Sequence, residues 1–172
     1  CIVSMFLADI PTALIFFSIC QPLLEQNNCE PGKSKFRKAL MLGIPVGAAL
    51  GGIGTPAGSG MNAVTMSLLK SICDVEISFA QWSMVGVPVA IVSTVFAWFF
   101  LCLIFKPEVN IVKGLDSIKE DRKNIGPMRG DELKFTIVFA IMLVLWFIPS
   151  YTGIDMYMTA WAGIFVMSMP GM

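Results

Sequence analysis

The sequence contains no histidine, and this absence narrows the chemistry that the protein can perform. A Ser-His-Asp set is excluded, and neither paired carboxylates nor a cluster of metal ligands stands out elsewhere. The cysteines are scattered without a C-x-x-C pair, so neither a zinc site nor a disulfide framework is indicated. We interpret them as small apolar residues of helices. We therefore expect a protein that is not an enzyme and that carries no organic cofactor. The five cysteines are Cys1, Cys20, Cys29, Cys73 and Cys102.

Charged residues are also scarce, at 14% of the 172 residues, whereas 56% of the residues are hydrophobic. This balance is more apolar than that of a soluble domain. The twelve basic and twelve acidic residues cancel, so nothing suggests a nucleic acid as partner. The apolar residues form long blocks without the amphipathic alternation of soluble proteins. The composition predicts an all-α, multi-pass integral membrane protein with the lipid bilayer as its surroundings.

Two apolar blocks, residues 83–105 and 133–150, match the length of about 20 residues that a helix needs to cross a bilayer. Residues 157–172 begin a third block. The chain starts at Cys1 without an initiator methionine and stops inside an apolar run. We therefore expect it to be an internal piece of a longer polypeptide.

Two further stretches do not have the length of one span. Residues 11–24, "PTALIFFSICQPLL", are too short to cross, and this favours a re-entrant half-helix shielded inside the protein. Residues 37–70 are too long, and glycine and proline crowd their middle. We predict two half-helices separated by a non-helical segment centred near residues 53–61, as in discontinuous transporter helices.

The basic residues predict which loops share a side of the membrane. Residues 33–38 hold four Lys and Arg, and residues 106–134 hold seven more. The positive-inside rule places these loops in the cytoplasm, with residues 71–81 and 150–156 on the opposite side. We expect the stretch from 106 to 132 to be a cytoplasmic linker or surface helix whose charges face solvent.

The glycine-rich stretch carries two signals. Gly43, Gly47 and Gly51 recur every four residues, a spacing that favours close helix packing. Residues 52–62, "GIGTPAGSGMN", cannot sustain a helix, because glycine loses entropy and proline lacks a donor. Unwound backbone at membrane depth must line a cavity or be buried in protein. A merely kinked helix is the alternative, and a P-loop is excluded because the G-K-[ST] ending is absent.

This stretch has groups that can bind ions of either sign. Thr55, Ser59 and Asn62 supply neutral polar side chains, and free carbonyls supply cation ligands. Helix N-termini that point at the interruption would attract an anion.

The chain resembles the divalent anion/sodium symporter family, whose members carry citrate, succinate and other dicarboxylates, or sulfate. "SMFLADIPTALIFFSI" resembles the first hairpin tip of the family, S-M-W-I-S-N-T-A-T, and "GGIGTPAGSGMN" resembles its loop G-G-x-x-T-x-x-G-T-[GP]-P-N. "WFIPSYTGIDMYMTAWAGIFVMSMPG" resembles the start of its second repeat. The resemblance runs along the whole chain but covers only about a third of such a transporter.

The resemblance implies that the hairpin tip and the glycine loop together hold one sodium ion and part of the substrate carboxylate. A second hairpin with its own sodium site would lie beyond Met172. Ser59 stands where a threonine is usual, and Met61 replaces the usual proline. Ser4 and Gly60 match sodium-site positions of the family, and we expect Asp9 to be a further ligand of this cation site. The implied substrate-binding residues are Asp9, Thr12, Thr55, Gly58, Ser59 and Asn62.

Asp9 departs from the family pattern, because Ala8-Asp9-Ile10 replaces Ser-Asn-Thr, with Pro11 next. Asp9 could simply cap a helix N-terminus. It could also form a cation or proton site, since an ionisable group at membrane depth is costly without a partner. An anion would be repelled by a bare carboxylate, so dicarboxylate binding here requires either bound sodium or a protonated Asp9.

We expect secondary active transport of a small divalent anion coupled to sodium. The alternatives are a sodium/proton antiporter of the same superfamily and a non-transporting membrane scaffold or receptor.

The resemblance implies an inverted-repeat elevator that forms a homodimer, and we expect it in the plasma (inner) membrane. Residues 1–72 would belong to the transport unit. Residues 73–132 would add a spanning helix and the linker, and residues 133–172 a spanning helix and the start of the second repeat. The helices at 83–105 and 133–150 are the scaffold candidates.

Overall fold

A computed structural model describes residues 1–106, 130–147 and 156–169. Within these ranges the regular structure is entirely helical, which confirms the all-α prediction. The helices are α1 (Ile2–Phe6), α2 (Asp9–Gln26), α3 (Lys35–Gly52), α4 (Gly60–Cys73), α5 (Phe79–Phe105), α6 (Asp131–Phe147) and α7 (Met156–Met167).

The first two helices form a bent arm that folds back onto α3. Leu7 and Ala8 have extended ψ angles of 138° and 146°, and they separate α1 from α2. The start of α2 lies beside the end of α3, because a Cβ placed on Gly52 would be 3.5 Å from Asp9 Cβ. The two helices are therefore antiparallel. At 18 residues, α2 is longer than the predicted segment 11–24, and its re-entrant character stays a prediction.

The predicted interruption of residues 37–70 is confirmed. α3 begins after Ser34, whose side chain accepts a hydrogen bond from Arg37 N, and it ends at Gly52. Residues 53–59 are not helical, and α4 begins at Gly60. We call residues 53–59 the break.

α4 ends at Asp74, which has a left-handed φ of 54°. Lys70 in the last turn of α4 forms an ion pair with Glu76 in the following connection. The hydrogen bond and the positive charge of Lys70 both lower the pKa of the Glu76 carboxyl.

α5 runs antiparallel to α3. Gly86 near its start lies against Gly54, and Leu101 near its end lies 3.5 Å from the Cβ position of Gly43. It begins four residues before the predicted 83 because Ser78 and Gln81 form a capping box. Among the described residues it is the one helix long and apolar enough to cross a membrane, and only 6% of its apolar window is buried. A core helix of a soluble protein would be mostly buried.

The antiparallel packing brings two basic regions to the same end of the helices. Phe36, within the predicted basic loop, lines the same cleft as Cys102 in the last turn of α5. Lys106 follows directly. This agrees with one shared side for residues 33–38 and the start of the linker, although which side is cytoplasmic stays a prediction. Residues 107–129 of that linker and residues 150–155 lie outside the described ranges.

α6 and α7 match the predicted blocks at 133–150 and 157–172, whose ends at 148–150 and 170–172 lie outside the described ranges. α6 packs on the start of α5, where the Phe79 ring centroid is 5.3 Å from that of Trp146. α7 approaches α6 closely at Gly163, because a Cβ there would come within 2.2 Å of Met142 Sδ.

The three glycines spaced by four residues on α3 have different surroundings. A Cβ on Gly51 would come within 2.3 Å of Cys1 O, so α1 packs directly on this position. Gly43 makes an ordinary contact, and the Cβ position of Gly47 has nothing within 4 Å. Close packing therefore requires a glycine at one of the three positions, Gly51.

Candidate functional site

The tip of the arm docks into the break through two hydrogen bonds between distant parts of the chain. Ser4 Oγ donates to the Ala48 carbonyl on α3, and Thr55 Oγ1 donates to the Met5 carbonyl on α1. Ser4 and Thr55 are both completely buried. Met5 packs against Gly54, where a Cβ would come within 2.8 Å of its side chain. We call this meeting point of residues 4–9 and 52–62 the junction.

Three backbone segments meet at Gly58. A Cβ on Gly58 would come within 2.6 Å of Gly52 O and 2.8 Å of Ser4 O. Only glycine permits this approach, because neither backbone atom can move away cheaply. Gly52 in turn contacts Asp9. The junction therefore brings the carbonyls of Ser4 and Gly52 and the carboxylate-bearing residue Asp9 into one small region.

Thr55 and Asn62 were both expected to bind substrate, but their side-chain donors form hydrogen bonds with backbone carbonyls of the junction. Asn62 Nδ2 donates to Gly52 O at 2.7 Å and to Thr55 O at 2.8 Å, and the residue is 8% exposed. The Thr55 hydroxyl is committed to Met5. These two side chains thus hold the shape of the junction.

The remaining predicted site residues lie around this centre. Thr12 is buried, and its hydroxyl donates to Leu7 O at 3.4 Å within the arm. The half-buried Ser59 precedes α4, and its carbonyl accepts from Asn62 N at 3.1 Å. Gly60 is exposed, with nothing within 4 Å of its Cβ position. The contacts above join Ser4, Asp9, Thr55, Gly58 and Asn62. Thr12 instead lines a cavity beside α2, and Gly60 is exposed.

Asp9 lies in the first turn of α2 and is half-buried. The N-cap position of α2 is Ala8, which makes no side-chain capping bond, so Asp9 is an acidic residue of the first turn and not the N-cap. Its Oδ1 accepts a hydrogen bond of 3.0 Å from Ile10 N, one of the N–H groups that have no partner within the helix. A carboxylate can accept about four hydrogen bonds or ligand contacts. This one bond therefore leaves Asp9 capable of binding a cation as well.

Helix ends of both kinds meet at the junction. α3 ends at Gly52, whereas α2 begins at Asp9 and α4 begins at Gly60. The carbonyls at a helix C-terminus carry partial negative charge, and the N–H groups at an N-terminus carry partial positive charge. The junction can therefore stabilise a cation on one side and an anion on the other.

The described residues contain no group of three or more His, Cys, Asp or Glu side chains that could hold a metal ion. A sodium ion does not need such a group, because unwound carbonyls and helix C-termini coordinate it in transporters. The carbonyls at the end of α3 and the Asp9 carboxylate fit that donor set.

A cavity of about 480 Å³ opens among α2, α3 and α5, but its lining does not suit a small anion. Phe16, Phe36, Leu40 and Trp98 are among its residues, and no charged side chain lines it. A dicarboxylate would lose its hydration there without an opposite charge.

Two residues of α5 at the break were not singled out as site residues from the sequence. Trp82 Nε1 donates to Ile53 O at 3.1 Å, and Gly86 lies against the carbonyls of Ile53 and Gly54. Both contacts bridge about thirty residues of chain. The available signal was a tryptophan and a glycine one turn apart on an apolar helix, a pattern that also fits ordinary packing.

Comparison with known sequences decides the family. The profile of the family described as the sodium:sulfate symporter transmembrane region matches residues 10–172. The chain belongs to this family. The predicted resemblance is thereby confirmed, and the symporter family is one of integral membrane transporters, not enzymes.

Two related proteins are sodium-dependent dicarboxylate transporters. The chain is 31% identical to the sodium-dependent dicarboxylate transporter SdcS of Staphylococcus saprophyticus over 152 residues, which cover 83% of this chain. It is 28% identical to the SdcS protein of Staphylococcus aureus strain USA300 over the same length. The chain spans 29% of the length of each of these relatives.

Proposed function

We propose that the full-length protein is a secondary transporter that couples the movement of a small divalent anion, of the dicarboxylate class, to sodium. The observation that carries the proposal is the junction, where carbonyls of Ser4 and Gly52, the Asp9 carboxylate and the ends of α2, α3 and α4 meet. Membership of the symporter family and the names of its two relatives support sodium and a dicarboxylate as the transported species.

The proposed cation site consists of Ser4, Asp9, the Gly52 carbonyl and the backbone around Gly60. The Ser4 hydroxyl donates its hydrogen to Ala48, so its oxygen lone pairs stay available to a cation. Asp9 supplies the full negative charge beside Gly52. Binding of sodium offsets the cost of holding that charge away from water.

The proposed anion site lies at the N-termini of α2 and α4, near Asp9, Thr12, Gly58 and Ser59. N–H groups at these helix starts are suitable donors to a substrate carboxylate. Asp9 repels an anion until its charge is neutralised, so sodium binds before the substrate. Thr55 and Asn62 act on the substrate indirectly, because they hold the backbone that surrounds it.

A sodium/proton antiporter is the second candidate. The observation that favours it is Asp9 itself, a half-buried carboxylate at a position where the family has an amide. Sodium and a proton would compete for this group, and no anion would be needed.

We further propose that the protein works as an elevator-type homodimer in the plasma membrane. The contacts of Trp82 and Gly86 with the break support the assignment of α5 to the moving transport unit rather than to the scaffold. From the sequence we expected this helix, predicted at residues 83–105, to belong to the scaffold. α6 is then the first scaffold candidate among the described helices.

The test compares Asp9→Asn and Asp9→Ala in the full-length protein reconstituted in proteoliposomes, with sodium and pH varied separately. Asp74→Asn is the matched control, because Asp74 lies at the C-terminus of α4, outside the junction, with a left-handed φ that asparagine tolerates.

For a symporter we expect Asp9→Asn, which restores the family amide, to keep sodium-dependent anion uptake while losing its pH sensitivity. Asp9→Ala should abolish coupled transport, because charge and ligand oxygens both disappear. Sodium/proton exchange without anion uptake would establish the second candidate. If Asp9→Ala transports like the parent at every sodium concentration and pH, then Asp9 is only a helix cap and the proposed cation site is wrong.

A further inference from the structure

The break is held by two elements, the arm and α5, through separate contacts. On the α5 side, Trp82 Nε1 donates to Ile53 O at 3.1 Å. One turn later, a Cβ on Gly86 would come within 2.8 Å of Ile53 O and 2.7 Å of Gly54 O. Trp82 and Gly86 therefore lie on one face of α5. The indole donates a hydrogen bond to the Ile53 carbonyl, and the missing side chain of Gly86 leaves space for the same carbonyl.

These contacts divide the carbonyls at the end of α3 into two groups. Ile53 O and Gly54 O point toward α5, whereas Gly52 O faces Asn62 and Gly58 within the junction. Ile53 is the C-cap of α3 and keeps helical angles, φ −68° and ψ −26°, so the carbonyls of Gly52 and Ile53 lie about 100° apart around the helix axis and meet different neighbours. The Ile53 carbonyl has no partner further along the helix, because residues 53–59 are not helical, and the Trp82 indole takes the place of that partner.

The indole of Trp82 is suited to fix that direction. It offers a single N–H on a rigid ring with few rotatable bonds, and it is half-buried against the break. The bond joins this indole to an exposed residue, Ile53, and one hydrogen bond of this kind makes a modest net contribution, so the indole favours one direction of the carbonyl over others.

We propose that Trp82 is a positioning residue for the cation site: by binding the Ile53 carbonyl it sets the turn that places the Gly52 carbonyl in the junction, and Gly86 allows the approach. The inference rests on the proposed sodium-coupled function. Trp82 itself touches neither ion nor substrate in this arrangement.

The test uses Trp82→Phe in the full-length protein, because phenylalanine keeps an aromatic ring and removes the N–H donor. Trp98→Phe is the matched control, since Trp98 lies on the same helix but lines the apolar cavity with 65% exposure. Two quantities are measured for each variant. The first is the sodium concentration that gives half-maximal anion uptake in proteoliposomes, and the second is amide hydrogen exchange over residues 53–59 in lipid nanodiscs.

We expect Trp82→Phe to raise the half-saturating sodium concentration by about threefold to tenfold, the effect of one lost hydrogen bond, with little change in the maximal rate. Exchange over the break should quicken, because the amides of Gly54 and Gly58 bond to the nearby carbonyls of Gly51 and Thr55 and depend on the conformation of this turn. Trp98→Phe should leave both quantities unchanged.

The proposal is overturned if Trp82→Phe matches the parent in both measurements, or if it only lowers the maximal rate through a smaller amount of folded protein. If the parent shows no sodium-dependent uptake, the proposed function fails. Hydrogen exchange then decides separately whether Trp82 orders the break, and unchanged exchange refutes its positioning role as well.

Discussion

Gly58 illustrates how one missing side chain sets the distance between three segments. Its backbone touches the carbonyls of Gly52 and Ser4, which a Cβ would approach to 2.6 Å and 2.8 Å. Real Cβ atoms do not come this close to backbone oxygen, so a larger residue would separate the arm from the break. The ligand arrangement of the proposed cation site therefore depends on a residue that contributes no side chain at all.

Thr55 offers a test of whether the polar residues of the break bind substrate or hold its shape. Thr55→Val keeps the volume but leaves the buried Met5 carbonyl without its donor, which should cost about 1–3 kcal/mol of stability. We expect a lower midpoint of thermal unfolding in detergent for Thr55→Val and a near-parental midpoint for Thr55→Ser, which retains the hydroxyl. An unchanged midpoint with weaker substrate binding in Thr55→Val would instead make Thr55 a substrate ligand.

The sequence indicated that residues such as Thr55 and Asn62 matter, but not what they do. Both are polar residues in a stretch that cannot be helical, and this is visible locally. Their partners are not, because Thr55 binds a carbonyl fifty residues away and Asn62 bridges the two ends of the break. The direction in which a donor points depends on tertiary contacts that a local pattern does not contain.

At the scale of elements, the break and the helix starts were predictable to different degrees. Glycine and proline content predicted the interruption between α3 and α4 because both residues weaken any helix. The start of α5 was missed by four residues, although Ser78 and Gln81 carry a capping-box pattern. The ends of α2 were also missed, because Asp9 and the polar residues before Asn27 extend the helix beyond its apolar part.

The contact between α5 and the break can be tested with a pair of identical substitutions. Gly86→Ala introduces a Cβ within 3 Å of the Ile53 and Gly54 carbonyls, and such overpacking costs about 1–3 kcal/mol. Gly47→Ala, in the interior of α3 with open space around it, should stabilise the helix by up to about 1 kcal/mol. We expect thermal unfolding midpoints that move in opposite directions. Equal midpoints for the two variants would mean that α5 does not press on the break.

At the scale of the whole molecule, most of the described apolar surface is uncovered. Met61 and Ile72 on α4 are 70% and 76% exposed, and Met84 on α5 is 78% exposed. The chain spans 29% of the length of the relatives that it matches. Under the proposed inverted-repeat architecture the binding site is built from both halves of the transporter, so a sequence of this length could predict the junction but not the complete site.

The antiparallel arrangement of α3 and α5 determines which connections lie at the same end of the helices, and the basic residues then predict which end faces the cytoplasm. Lys33 precedes α3 at the end shared with Lys106, whereas Val75 lies between α4 and α5, before the start of α5 at the opposite end. We expect Lys33→Cys on the cytoplasmic side and Val75→Cys on the outside, because Lys and Arg cluster in the loop that contains Lys33 and not in the connection that contains Val75. Both positions are suited to labelling, since the Lys33 side chain is 81% exposed and Val75 is 47% exposed.

The measurement introduces each cysteine into the full-length protein stripped of its other cysteines and applies a membrane-impermeant thiol reagent to intact cells. Val75→Cys should react at once and Lys33→Cys only after the membrane is permeabilised, while detergent-solubilised samples of both should react equally. If both cysteines react in intact cells, then positions 33 and 75 do not lie on opposite sides of the membrane, and the predicted topology is wrong. The reverse pattern would keep the helix packing but invert the membrane orientation. The junction would then keep its contacts, but the side from which sodium and substrate enter it would be exchanged.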